Sequence, residues 1–167
     1  MASPWRHLLN LNTQTFYTNN GYRLITLNKH QIADEILDTA IQIRSLGIKV
    51  VIVAPPPKVG FDIGRCQEKI SRRQIKIGGS SDCSLSYSEY QRFDQKVIAL
   101  KKYLKTKGET MYSFEENLCD SRRCETILDN IVLYRDTGHF SYAGSEHYGR
   151  KFNLYDTLTA MAMAMAK

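Results

Sequence analysis

Ile48-Lys49-Val50-Val51-Ile52-Val53-Ala54-Pro55-Pro56-Pro57 is a β-branched apolar run shut off by three prolines. Val and Ile favour the pleated backbone. A run that is apolar without alternation reads as a strand buried on both faces, as in a parallel sheet. Proline cannot donate to a β ladder, so the strand stops at Pro55. Upstream, residues 29–46 place Ile32, Ile36, Ala40, Ile43 and Leu46 at three- and four-residue steps. That spacing makes one apolar face of an amphipathic helix. Asn28 serves as its N-cap and Gly47 as its C-terminal stop. Helix, glycine turn and buried strand form half of a βαβ unit. In open α/β sheets the ligand crevice lies outside the carboxyl ends of the strands. Residues 55–64 therefore belong near any active site.

Further out, residues 65–85 read as a polar, basic insertion. Residues 86–106 read as one helix with Tyr90, Phe93, Val97, Leu100 and Leu104 on its apolar face. Ser86 and Glu89 form a capping box at its start, and Lys107-Gly108 ends it. Residues 109–114 suit a short strand and 117–125 a loop. Residues 126–134 suit a small hairpin turning at Asp129-Asn130. Residues 141–150 and 154–166 are the last helical stretches. At the other end, residues 1–20 read as irregular and 21–27 as a short strand or extended loop. No repeat or linker divides the chain. The order α-β-α-β-α predicts a single α/β domain over residues 1–167 with a mostly parallel sheet.

The 167 residues are 43% hydrophobic and 24% charged, the composition of an ordinary soluble domain. No run of about 18 apolar residues could span a bilayer, and Met1-Ala2-Ser3-Pro4-Trp5-Arg6-His7 lacks the apolar core of a signal peptide. The net charge of +6 includes the pairs Arg72-Arg73, Lys101-Lys102 and Arg122-Arg123. Without a zinc finger, an RNP-like strand or an arginine-rich arm, these read as a solvated basic surface, and no nucleic-acid partner is expected. The four cysteines pair most simply in sequence order, Cys66 with Cys83 and Cys119 with Cys124. Zinc is the rival, although the spacings fit no standard zinc pattern, and four unrelated buried thiols are the third possibility. Disulfides need an oxidising compartment, which conflicts with the missing export signal. No metal or cofactor is expected.

The chemistry centres on Tyr134-Arg135-Asp136-Thr137-Gly138-His139-Phe140-Ser141. A strand-like run leads into this stretch and a helical one follows it. Three residues across a turn let the Asp136 carboxylate reach Nδ1 of His139, fixing the tautomer and leaving Nε2 to take a proton from a hydroxyl. Imidazole titrates near neutrality, as a general base requires. Caps and surface groups account for many such pairs, and Ser141 also suits a helix N-cap.

The stretch from Tyr134 to Ser145 resembles the closing block of SGNH hydrolases. It is most similar to the SGNH domain attached to membrane acyltransferases of the acyltransferase-three family, such as bacterial O-antigen acetylases. Two further stretches resemble the same group in the same order: residues 50–57 followed by Gly60-Phe61-Asp62-Ile63-Gly64-Arg65-Cys66, and Leu118-Cys119-Asp120-Ser121-Arg122-Arg123-Cys124. The likeness runs from about residue 30 to 150. It implies a flavodoxin-like α/β sandwich. It makes His139 the catalytic base and Asp136 its orienting carboxylate. The implied activity is acyl transfer to, or removal from, carbohydrate hydroxyls. The implied partners are a carbohydrate acceptor and a membrane acyltransferase domain that delivers the acyl donor. A periplasmic location would account for the cysteines. Phe140 stands where the family usually has leucine.

One departure is serious. The family nucleophile lies in a Gly-Asp-Ser block after the first strand, and that tripeptide does not occur here. Gly79-Ser80-Ser81-Asp82 has the wrong order, and Gly21 with Asn19 or Asn20 matches the oxyanion-hole residues only thinly. The chain therefore reads as the C-terminal portion of such a domain, missing its first strand and nucleophile. The alternative is an inactive SGNH-like module that binds polysaccharide or a protein partner.

Overall fold

The computed structural model describes residues 5–10, 14–18, 21–25, 29–58, 60–72 and 83–164. The N-terminal segment is not irregular as expected. Helix α1 (Trp5–Asn10) is followed by β1 (Gln14–Thr18), which pairs antiparallel with β2 (Gly21–Ile25). The signal for β1 was the β-forming set Thr15-Phe16-Tyr17-Thr18. Trp5 is buried, so it belongs to the core and not to an exposed aromatic platform.

Helix α2 (Lys29–Ser45) buries Ile32, Ala33 and Ala40 and half-buries Ile36 and Ile43, but Leu46, expected on the same face, lies beyond the helix end and is 75% exposed. Gly47 closes it at φ +77°, in the left-handed region that glycine enters without a Cβ penalty. Its proposed N-cap, Asn28, lies outside the described residues. Strand β3 is shorter than the β-branched run, spanning Ile52–Val53, and is not buried on both faces: Ile52 is buried while Val53 is 39% exposed. Propensity sets the extended backbone, but burial depends on which neighbours arrive.

Part of the polar insertion expected over residues 65–85 is helical, and residues 73–82 lie outside the described residues. Asp62 caps helix α3 (Ile63–Ser71) by accepting the Arg65 N–H at 2.8 Å. A disulfide ties Cys66 to Cys83. Gly79-Ser80-Ser81-Asp82 and Asn19 with Asn20 lie outside the described residues. Strand β4 (Leu85–Ser86) leads into α4 (Tyr87–Phe93), whose capping box of Ser86 and Glu89 is complete.

The expected single helix breaks at Asp94, where α4 ends and α5 (Gln95–Thr106) begins. The Asp94 side chain is only 2% exposed and turns inward to the Arg6 guanidinium and the Lys58 N–H. Tyr90, Val97, Leu100 and Leu104 are buried as expected, but Phe93 is left 39% exposed. Strand β5 (Met111–Tyr112) then pairs with β3 in parallel, Ile52 opposite Met111 and Val53 opposite Tyr112.

Helix α6 (Glu115–Leu118) precedes β6 (Arg123–Cys124), which pairs antiparallel with β4. Residues 119–124 form a tight turn. Asp120 accepts the N–H groups of Arg122 and Arg123, both at 2.7 Å, and a disulfide joins Cys119 to Cys124. Strands β7 (Ile127–Leu128) and β8 (Ile131–Val132) make the expected hairpin. Its turn residues Asp129 and Asn130 both have positive φ, +49° and +65°. Asp and Asn tolerate that conformation best among non-glycine residues. Helices α7 (Tyr142–Lys151) and α8 (Leu154–Ala164) finish the described chain.

The fold is thus mixed α/β with small sheets. Of the four described two-stranded pairings only β3–β5 is parallel, against the expectation of a mostly parallel sheet. Two apolar clusters hold it. One packs α1, α2, β3, β5 and α5 around Trp5, Ala33, Ala54, Leu100 and Leu104. The other, beneath residues 134–140, gathers Ile63, Leu85, Tyr112, Leu133, Tyr134 and Tyr148. Among the described residues no helix is long and apolar enough to cross a membrane.

Candidate active site

The loop between β8 and α7 is clamped at both ends. The Arg135 N–H donates to the His139 carbonyl at 3.0 Å, and Tyr134 bridges Phe140 antiparallel. The Ser141 N–H donates to the Leu133 carbonyl at 2.7 Å. Ser141 also caps α7, its Oγ accepting the Gly144 N–H at 2.9 Å and donating to the Val132 carbonyl at 3.0 Å. From below, α3 packs so closely that a Cβ at Gly64 would lie 2.7 Å from the Arg135 carbonyl oxygen. Phe140 fills an aromatic cluster with Tyr134, Phe114 and Tyr148, at ring separations of 5.1, 5.3 and 5.7 Å.

Within that clamp, the structure brings Asp136 and His139 together. Nδ1 of His139 lies 2.9 Å from each Asp136 carboxylate oxygen. Asp136 Oδ1 also accepts the N–H groups of Gly138 at 2.9 Å and His139 at 2.8 Å. A carboxylate on Nδ1 favours the tautomer with its proton there. Among the described residues Nε2 makes no hydrogen bond, and the imidazole is 46% exposed. The ring is oriented by one nitrogen and open at the other, which suits it to exchange a proton with an approaching hydroxyl.

Burial works against the charged form of Asp136, but the Gly138 N–H, the His139 ring and the His139 N–H together outweigh it. The carboxyl is held below its ordinary range. A group depressed on folding contributes stability above its unfolded pKa and loses it as pH falls through the folded value. Wild-type stability is therefore expected to fall below about pH 4 more steeply than that of Asp136→Asn, as urea denaturation between pH 3 and 6 would show. Parallel acid limbs would contradict the bonding described.

The tyrosines that flank the loop differ. Tyr142 is 87% exposed, whereas Tyr134 is 1% exposed and cannot meet a ligand. The Tyr134 hydroxyl has no hydrogen-bond partner among the described residues, and burial pushes its pKa far up. An unsatisfied buried hydroxyl costs about 1–3 kcal/mol. Tyr134→Phe is therefore expected to be stabilising by about 1 kcal/mol in urea denaturation. A loss of that size would reveal a partner. His147 bonds Asp129 at 2.8 Å and pins α7 to the hairpin turn.

Sequence reasoning missed Arg6 and Asp94. The Arg6 guanidinium grips Asp94 through Nε at 2.8 Å and Nη2 at 2.7 Å. It also donates to the Pro56 carbonyl, and Asp94 accepts the Lys58 N–H at 2.7 Å. This joins α1, the start of α5 and the proline loop beside Gly138. A Cβ at Gly138 would lie 3.1 Å from Arg6 Nη1. The partners are 88 residues apart, so no local pattern signals the contact.

Residues 2–153 match the family model of the SGNH domain fused to AT3 domains. The chain belongs to this SGNH domain family. The match starts well before residue 30, so the N-terminal segment is part of the likeness. The SGNH chain is also similar to the solved structure of the lipopolysaccharide acetyltransferase periplasmic domain of Salmonella ser. Paratyphi A. The TM-score is 0.55 at 17% identity, covering 78% of this chain and 51% of that one. At that identity the likeness speaks to the fold alone, and this SGNH chain spans about half the length of the solved domain. No curated relative matches it.

Proposed function

We propose that this chain carries the acid–base pair of an SGNH-type O-acyltransferase or esterase acting on carbohydrate hydroxyls, with cell-surface polysaccharide as acceptor. The observation that carries the reading is the geometry of His139, held on Nδ1 by both Asp136 oxygens at 2.9 Å with Nε2 open. His139 takes the proton of a serine hydroxyl as that oxygen attacks the acyl carbonyl, then returns it to the leaving group. It next deprotonates the acceptor hydroxyl that attacks the acyl-serine. Asp136 orients the ring and stabilises the imidazolium. The serine is not in a Gly-Asp-Ser block of these 167 residues. The acyl donor comes from a membrane acyltransferase domain of the kind fused to this family, at the periplasmic face of the membrane. Two disulfides fit that oxidising compartment. The parallel pair β3–β5 is its contribution to a flavodoxin-like sheet.

The absence of Gly-Asp-Ser favours one second reading, a module that binds polysaccharide without turning it over. Genomic sequence immediately upstream of Met1 separates the two. An in-frame Gly-Asp-Ser block there supports the enzyme. Its absence, together with sugar binding and no hydrolysis of p-nitrophenyl acetate, supports the binding module.

A further inference from the structure

A pocket of about 170 Å³ adjoins the Asp136–His139 loop. Arg6 and Lys58 belong to both: a Cβ at Gly138 would lie 3.1 Å from Arg6 Nη1 and 3.8 Å from Lys58 Cγ. Arg92 and Lys96 add two further cations to its wall, against the single carboxylate of Asp94. That carboxylate is already committed to Arg6 and to the Lys58 N–H. Among the described residues neither Lys58 nor Arg92 forms an ion pair. The wall is not purely ionic. Leu9 and Val97 line it, and the half-exposed Phe93 ring carries the Arg92 guanidinium 4.8 Å from its centroid.

We propose that this pocket takes the anionic substituent of a sugar residue in the acceptor glycan, a carboxylate or phosphate set against Lys58 and Arg92 with the sugar ring along Phe93. The proposal rests on the carbohydrate reading of the neighbouring His139 site. The pocket has room for about six waters at ~30 Å³ each. That suits one charged group with part of a ring. A bare anion would gain nothing from Leu9, Val97 and Phe93. Single-stranded nucleic acid wants an extended groove with successive stacking platforms, and among the described lining residues Phe93 is the one aromatic ring, with Arg92 on it. A glycan anchored beside Arg6 lies next to the loop that carries His139. The pocket would then select which hydroxyl of a charged repeat unit meets Nε2.

The test is an NMR titration of the chain with glucuronic acid, glucose 6-phosphate, glucose, and acetate or inorganic phosphate alone. Either anionic sugar should bind at least about tenfold tighter than glucose and than the corresponding bare anion. Binding should weaken as salt rises. Lys58→Gln with Arg92→Gln, folded by the criterion of an unchanged thermal melt, should lose about tenfold or more. Glucose binding equally well would overturn the proposal. So would a bare anion matching its sugar, an unaffected double variant, or tighter binding of a short single-stranded DNA to the same residues. The wild-type comparisons stand even if the double variant does not fold. His139→Ala should keep the binding, so failure of the catalytic reading would not be mistaken for failure of the pocket.

Discussion

On the proposed mechanism, His139→Ala is expected to lower acyl transfer by about 10⁴-fold, measured in a polypeptide that supplies a Gly-Asp-Ser serine. The magnitude follows from the bonding. Nδ1 is already held by both Asp136 oxygens at 2.9 Å, so on the proposed mechanism the ring offers Nε2 to the serine. Alanine leaves the serine hydroxyl without a base. Asp136→Asn should cost nearly as much while keeping the imidazole in place. An amide turning its NH₂ towards Nδ1 reverses the tautomer and puts the proton on Nε2. Because the two residues act as one unit, the double variant should be little worse than either single one. Independent, multiplying losses would show that they do not cooperate. Thermal stability separates catalysis from folding. The His139 imidazole is 46% exposed, and its removal should leave the melt almost unchanged. Full activity in His139→Ala would end the catalytic reading.

The second large effect concerns Gly144. The first turn of α7 sits directly on the end of β8. A Cβ at Gly144 would lie 2.4 Å from the Leu133 carbonyl oxygen, 2.6 Å from its Cα and 2.8 Å from its carbonyl carbon. All three are backbone atoms, so no rotamer change relieves the collision. The helix must retreat, stretching the Ser141 N–H bond to that same Leu133 carbonyl and loosening the Ser141 cap. Gly144→Ala is therefore expected to destabilise the chain by about 3 kcal/mol in urea denaturation. It should also disturb His139, two residues before Ser141. Gly149 in the same helix is the internal control. Among the described residues nothing lies within 4 Å of a Cβ there, so Gly149→Ala should gain up to about 1 kcal/mol of helix propensity. Equal effects at the two glycines would rule out the steric account.

What could be read locally depended on how far apart the interacting residues lie. The α2 helix, its stop at Gly47, the capping box at Ser86 and the turn at Asp129-Asn130 all involve residues within a few positions of one another. The disulfide pairing in sequence order also appears in the structure, including the short Cys119–Cys124 loop. The break at Asp94 could not be read. A lone aspartate in a helical pattern looks like a solvated face until Arg6 closes on it from 88 residues away. The partial exposure of β3 was hidden for a similar reason. A β-branched run specifies an extended backbone, whereas burial is decided by what packs against it.

The candidate site divides along the same line. Asp136 and His139 are three residues apart on one tight loop, and their contact was written into the sequence from Asp136 to His139 because a turn of that length brings the two side chains together. The rest was decided by tertiary structure. The clamp on the loop from Leu133 and Gly64, the burial of Tyr134, and the basic pocket that Arg6, Lys58 and Arg92 build beside Gly138 all depend on distant segments meeting. Such meetings are set by the packing of whole helices against strands, and no local spacing of residues records them.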